Sequence, residues 1–174
     1  MSVAKMVEEF ATVTEQEGSP KLYLTLIEEE YKEWQEIASG EAEVGCDTPV
    51  YELKELADLK YVIYGFARAK GWVLDEDYIV LTYGDNHVMG TVSRFLNEVG
   101  SGSKNRELKF LQVCIEVIDG YAKYKGYDLE TAVQRVHENN LGRCVQPDGT
   151  IQRRVDGKII KNDNYKKVYL GDLI

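Results

Sequence analysis

Three prolines, at positions 20, 49 and 147, punctuate a chain of 174 residues whose apolar side chains otherwise recur at helical spacing. Proline fits a helix only in its first turn, so each marks a place where an element begins or ends. The spacing predicts six helices. The first runs from Val3 to Glu17, with Val3, Met6, Val7 and Phe10 on one face, and Gly18-Ser19-Pro20 stops it. The second spans Pro20 to Ala38, with Leu22, Leu26, Tyr31 and Trp34 on one side. A polar loop leads to Pro49 and a third helix, Val50 to Ala69, closed by Lys70-Gly71. A fourth covers His87 to Val99, followed by the flexible Gly100-Ser101-Gly102-Ser103 link. The fifth covers Asn105 to Lys125 with Gly126 as its stop, and the sixth Leu129 to Asn139 with Gly142 as its stop. After Pro147 the turn dipeptides Asp148-Gly149 and Asp156-Gly157 flank a β-prone run, which reads as a short C-terminal β-hairpin or extended tail. The expected fold is therefore all-α, a helical bundle of about six helices, in one domain covering residues 1–174.

No stretch approaches the roughly 20 apolar residues that cross a bilayer, and the acidic start MSVAKMVEEF does not read as a signal peptide. A cytoplasmic protein without a membrane partner is the expectation. Cys46, Cys114 and Cys144 are isolated and odd in number, so neither a disulfide framework nor a zinc ribbon is predicted. The net charge of −9 argues against a nucleic-acid duplex as partner, because neutralising phosphates needs a basic face. Residues 1–80 carry 18 acids and 7 bases, residues 81–174 12 and 14, so the negative excess lies in the first half.

Within that half, Glu30 and Glu33 are three residues apart on the second helix, and Glu55 and Asp58 are three apart on the third. Such spacing puts each pair on one helix face. If the two helices pack antiparallel, four carboxylates meet at one point, an arrangement that repels itself unless cations fill it. Oxygen ligands without a nearby histidine or cysteine select Mg²⁺, or Mn²⁺, over zinc. The acidic run from Glu28 to Glu36 alone would read as a solvated face. The second pair alters that reading, because Asp58 lies among Leu53, Leu56, Ala57, Leu59, Val62 and Ile63, and an acid on so apolar a helix needs a partner.

Glu29-Glu30-Tyr31-Lys32-Glu33, followed after 21 residues by Glu55-Leu56-Ala57-Asp58, resembles the Glu-Glu-x-x-Glu and Glu-x-x-Asp signature of the MazG-like all-α nucleotide pyrophosphohydrolases. That superfamily also holds the dimeric dUTPases and phosphoribosyl-ATP pyrophosphohydrolase. Tyr61-Val62-Ile63-Tyr64-Gly65, Val136-His137-Glu138-Asn139-Asn140-Leu141-Gly142-Arg143 and Asp156-Gly157-Lys158-Ile159-Ile160-Lys161 resemble further segments of its phage or bacterial branch. The resemblance spans most of 20–71 and 127–165. It implies Mg²⁺-dependent cleavage of a nucleoside triphosphate to the monophosphate and pyrophosphate. It also implies Glu30, Glu33, Glu55 and Asp58 as metal ligands and Glu29 as a base acting on the attacking water. Asn140 would meet the base or sugar, and Arg143, Lys158 and Lys161 the phosphates. Leu141, Gly142 and Arg143 stand where the branch has Met, Ser and Lys, and residues 72–126 are additional.

Two other readings stay open beside this one: a non-catalytic helical scaffold, and a hydrolase of another diphosphate compound. A homodimer or higher homo-oligomer is expected, because a thin helical hairpin covers its apolar faces poorly. Inside 72–126, Val117 to Tyr127 echoes Val62 to Trp72 at an offset of 55 residues, which reads either as a duplicated helical unit or as two helices with similar ends. Glu116 and Asp119 form a second Glu-x-x-Asp that reads as coincidence. His87 and His137 read as packed or capping residues rather than catalysts.

Overall fold

The computed structural model describes residues 1–16, 18–42, 45–162 and 165–174 and contains six α-helices. These are α1 (Val3–Val13), α2 (Pro20–Ala38), α3 (Thr48–Ala69), α4 (Asp85–Glu98), α5 (Lys104–Lys125) and α6 (Leu129–Arg143), with a 3₁₀ turn at Gly45–Asp47 ahead of α3. The helix starts follow local chemistry. Pro20 occupies the first turn of α2, and the Ser19 hydroxyl accepts the Leu22 amide at 3.1 Å. Asp128 caps α6 by accepting both the amide and the hydroxyl of Thr131.

Helix α3 is the axis of the molecule. Every residue from Glu55 to Ala67 is buried, and α1, α2, α5 and α6 all pack against it. The hairpin α4–α5 lies against the hairpin α2–α3, α4 touching α2 and α5 touching α3. Tyr31 fastens the first of these contacts, its hydroxyl meeting the Ser93 hydroxyl at 2.8 Å and the Met89 carbonyl at 3.0 Å. Glu52 fastens the second. It is buried, accepts from Tyr121 at 2.5 Å and Tyr127 at 2.6 Å, and pairs with Lys125 at 2.9 Å. The apolar faces that a lone hairpin would leave bare are thus covered within one chain. A third tie crosses the other side of α3, where buried His137 joins the Tyr61 hydroxyl at 3.0 Å to Glu9 at 3.1 Å. His137 is a packed residue, as expected.

Two helix ends depart from the sequence expectation by several residues. Helix α1 ends at Val13, not Glu17, which lies outside the described residues; Glu15 takes φ 50° and the Gln16 amide returns to the Ala11 carbonyl at 2.9 Å. The buried Thr14 hydroxyl bonds the Phe10 carbonyl, giving the chain a polar reason to turn there. Helix α6 runs through Gly142 to Arg143 instead of stopping. Gly142 makes room there, since a Cβ would lie 2.3 Å from the Tyr165 ring. The tail is extended, one of the two forms expected: among the described residues it has no strand and one antiparallel bridge, Arg153 to Ile159, around the Asp156-Gly157 turn.

The two echoing segments end alike. The Trp72 amide bonds the Ala67 carbonyl at 2.8 Å, and 55 residues on the Tyr127 amide bonds the Ala122 carbonyl at 2.9 Å, with Gly71 and Gly126 both left-handed. The matching Lys-Gly-aromatic segments therefore close two helices in the same way.

Close approach of α2 to α3 depends on Gly65, where a Cβ would lie 2.0 Å from the Tyr23 ring; the same ring is held on its far side by Gly18. Gly65→Ala should cost about 1–3 kcal/mol through overpacking. Thermal unfolding checks this, and an unchanged melting temperature would contradict the packing described.

Candidate metal centre

Helices α2 and α3 run antiparallel, with Glu30 opposite Asp58 and Glu33 nearer Glu55. One carboxylate oxygen from each of Glu30, Glu55 and Asp58 lies within 4.8 Å of the others. Glu55 and Asp58 are each 6% exposed, the consequence of their place on the helix that the rest of the core surrounds. Glu33 does not join the three. It is exposed on the solvent side of α2, although its charge still reaches Glu30 and Glu55. The four-carboxylate set expected from the sequence is therefore three side chains in contact range and a fourth at the rim.

Lysines surround the cluster. Lys54 extends along α3 to Glu55 at 2.7 Å and Asp58 at 2.9 Å, and Lys158 of the tail reaches Glu29 at 2.5 Å and Glu30 at 3.6 Å. Arg154 adds a 2.8 Å contact to Glu29. Glu29 is thus a tether for the tail. Burial raises its pKa, but hydrogen bonds from Arg154 and Lys158 outweigh burial and leave it below the usual value. In this arrangement it is a poor proton acceptor, which departs from the base expected there.

The other acids divide. Burial lifts Glu30 to about 7, with the Asp58 charge adding to the rise and Lys158 opposing it. Burial likewise lifts Glu55 to about 7 against the pull of Lys54. Burial also opposes ionisation of Asp58, yet Lys54 and Lys161 overcome it and hold its pKa below the usual value. One carboxylate is firmly charged, and two are short of positive charge at neutral pH. Glu55 Oε2 is fully buried with no hydrogen-bond partner among the described residues. An orphaned buried carboxylate oxygen beside two other carboxylates suits a hard, oxygen-seeking cation such as Mg²⁺ or Mn²⁺.

Polar groups from α6 and the tail converge on the same place. Asn140, Lys158 and Lys161 share with Glu30 and Asp58 the walls of a small cavity of about 80 Å³, whose apolar side is made by Phe10, Tyr23, Leu26 and Tyr61 among others. A larger groove of about 720 Å³ opens beside it and includes Lys54, Asp58, Asn140, Arg143 and Lys161. Each residue expected to contact substrate thus borders the cluster. Sequence reasoning missed Lys54 and Arg154. Lys54 had a legible signal, since it sits four residues before Asp58 on an apolar helix. Arg154 had none, because its contact spans 125 residues of chain.

No family model, curated protein or solved structure matches this chain.

The raised values carry a sign. Burial pushes Glu30 and Glu55 up to about 7 from the 4.5 of a glutamate in the unfolded chain, so the folded state holds their protons more tightly than the unfolded state. Their contribution is most favourable below pH 4.5 and is lost as pH rises through 7. Without divalent cations, Glu55→Gln should therefore be more stable than the parent at pH 8, by on the order of 1–3 kcal/mol, and the gain should vanish near pH 4. Denaturant unfolding at both pH values checks this; equal stabilities at pH 8 would contradict it.

Proposed function

We propose that this chain is a divalent-cation-dependent nucleoside triphosphate pyrophosphohydrolase, which cleaves its substrate to a nucleoside monophosphate and pyrophosphate. One observation carries the reading: Glu30 gathers with buried Glu55 and Asp58, one Glu55 oxygen has no partner among the described residues, and Asp58 lines a groove edged by Lys54, Arg143 and Lys161. Acids that can gather a cation, with Arg143 and Lys161 on the adjoining groove, suit a polyphosphate, which needs both. The motif resemblance to the MazG-like enzymes supplies the substrate class and the bond cleaved.

Glu30, Glu55 and Asp58 would hold Mg²⁺, with Glu33 available at the rim. Bound there, Mg²⁺ supplies charge neutralisation for the phosphates and makes a water it holds more acidic. Lys161, Arg143 and Lys158 would meet phosphate oxygens through charge-assisted hydrogen bonds. Asn140 offers an amide that can both donate to and accept from a base or sugar. Glu29 would take a proton only after Arg154 and Lys158 release it, because those contacts hold it as a weak base. A homodimer enters this reading only through the resemblance, since α4 and α5 already cover α2 and α3.

A second reading has its own observation. Lys54 and Lys158 already neutralise part of the acidic cluster, as they would in a non-catalytic scaffold whose polar core needs no ion. Product analysis separates the two. The protein is incubated with Mg²⁺ and a panel of ribo-, deoxyribo- and modified nucleotides. The enzyme reading predicts monophosphate plus pyrophosphate from at least one substrate, with turnover lowered at least about 100-fold in Asp58→Asn. Turnover absent across the panel favours the scaffold.

A further inference from the structure

The additional stretch 72–126 builds a second cavity, which shares no lining residue with the carboxylate site. Its roof is the 72–84 segment, which has no helix or strand and is fixed along α5 at several points. The Asp75 amide and carbonyl both bond the Gln112 side chain, Lys123 bonds the Val80 carbonyl at 2.8 Å, and the Tyr83 amide bonds the Gly120 carbonyl at 3.2 Å. Gly120 permits this approach, since a Cβ would stand 2.3 Å from the Leu81 carbonyl oxygen. Ordered loops of this length without regular structure commonly serve binding. The cavity measures about 630 Å³, within the range of small-molecule sites.

Its floor is polar where a core would be apolar. Lys60, on α3, is 9% exposed and lies 2.5 Å from Asp119 of α5, whose other oxygen accepts from the Tyr78 hydroxyl. Each Asp119 oxygen has one donor, and the Lys60 ammonium, with three N–H donors, meets only Asp119 among the described residues. Tyr64, one turn along α3, is 5% exposed, and its hydroxyl has no hydrogen-bond partner among the described residues although it borders the cavity. Lys60 and Tyr64, four residues apart on α3, thus both present donors to the cavity. Of the Glu116 and Asp119 pair, Asp119 meets Lys60 and Tyr78 while Glu116 accepts from Gln112 at 3.3 Å.

The rim has the opposite character. Six charged side chains line the cavity, Lys60 and Lys123 against Glu76, Asp119, Asp128 and Glu130. Asp128 is engaged as the α6 cap, while Glu76 and Glu130 make no ion pair among the described residues. Donors at the floor call for an oxygen acceptor, and unpaired acids at the mouth call for a cation. We propose that this cavity binds a small amino-acid-like zwitterion, its carboxylate oxygen on Lys60 and Tyr64 and its ammonium toward Glu76 and Glu130. The site stands apart from the proposed hydrolase chemistry and does not depend on it. A phosphate ligand would be repelled by the acidic mouth, and a diamine would leave the floor donors unused.

Isothermal titration of the full chain with the twenty standard amino acids, putrescine and AMP tests the proposal. At least one amino acid should bind with Kd below about 1 mM and about tenfold more tightly than putrescine or AMP. Tyr64→Phe, which removes only the hydroxyl, should weaken that binding about three- to tenfold. Glu76→Gln, on the exposed rim, provides the same readout should Tyr64→Phe fail to fold. Absence of amino-acid binding, putrescine or AMP binding as tightly, or affinity unmoved in the folded variants would overturn it.

Discussion

Burial of Glu55 and Asp58 on α3 is the constraint around which the rest of the molecule is arranged. A helix enclosed on all sides from residue 55 to 67 would ordinarily be apolar throughout. Two carboxylates there have to be compensated, and the structure draws the compensation from three directions: Lys54 from the same helix, Lys158 and Lys161 from the tail, and the open groove beside α6. Among the described residues the tail has no strand, and its docking leans on these charges and on contacts such as the Gln16 side-chain amide to the Gly157 carbonyl at 3.2 Å.

Compensation is incomplete, and the incompleteness is informative. Burial pushes the Glu30 and Glu55 carboxyls well above the usual carboxylate range, and one Glu55 oxygen has no partner among the described residues. A polar core built only for stability gains by satisfying every such atom or by replacing it with an apolar side chain of similar volume. A site that receives a cation gains by leaving oxygens free. The lysines fit either role, since the groups that relieve carboxylate repulsion in one state can turn to phosphate in another.

Much of this was legible in the sequence because it is local. Pro20, the Ser19 cap, Gly71 and Gly126 fixed the bounds of α2, α3 and α5 within a residue or two, and the three-residue spacings put Glu30, Glu55 and Asp58 on facing sides. What escaped is non-local. Whether Glu33 turns inward depends on where the α2 surface meets solvent, and the fate of Glu29 depends on Arg154 and Lys158 arriving from more than 120 residues away. Gly142 looked like a helix stop, as glycine often is, but it lies beneath the Tyr165 ring, a role visible only once the tail is placed. Likewise, the cover that α4 and α5 give α2 and α3 is non-local and could not be read from the hairpin alone.

The claim on which the account turns is that Glu30, Glu55 and Asp58 form a cation site, and Mn²⁺ titration followed by electron paramagnetic resonance addresses it without reference to any substrate. The account predicts saturable Mn²⁺ binding that competes with Mg²⁺ and is lost, or weakened at least about tenfold, in Asp58→Asn and in Glu30→Gln. No saturable binding by the parent protein, or binding unchanged in both folded variants, would contradict it.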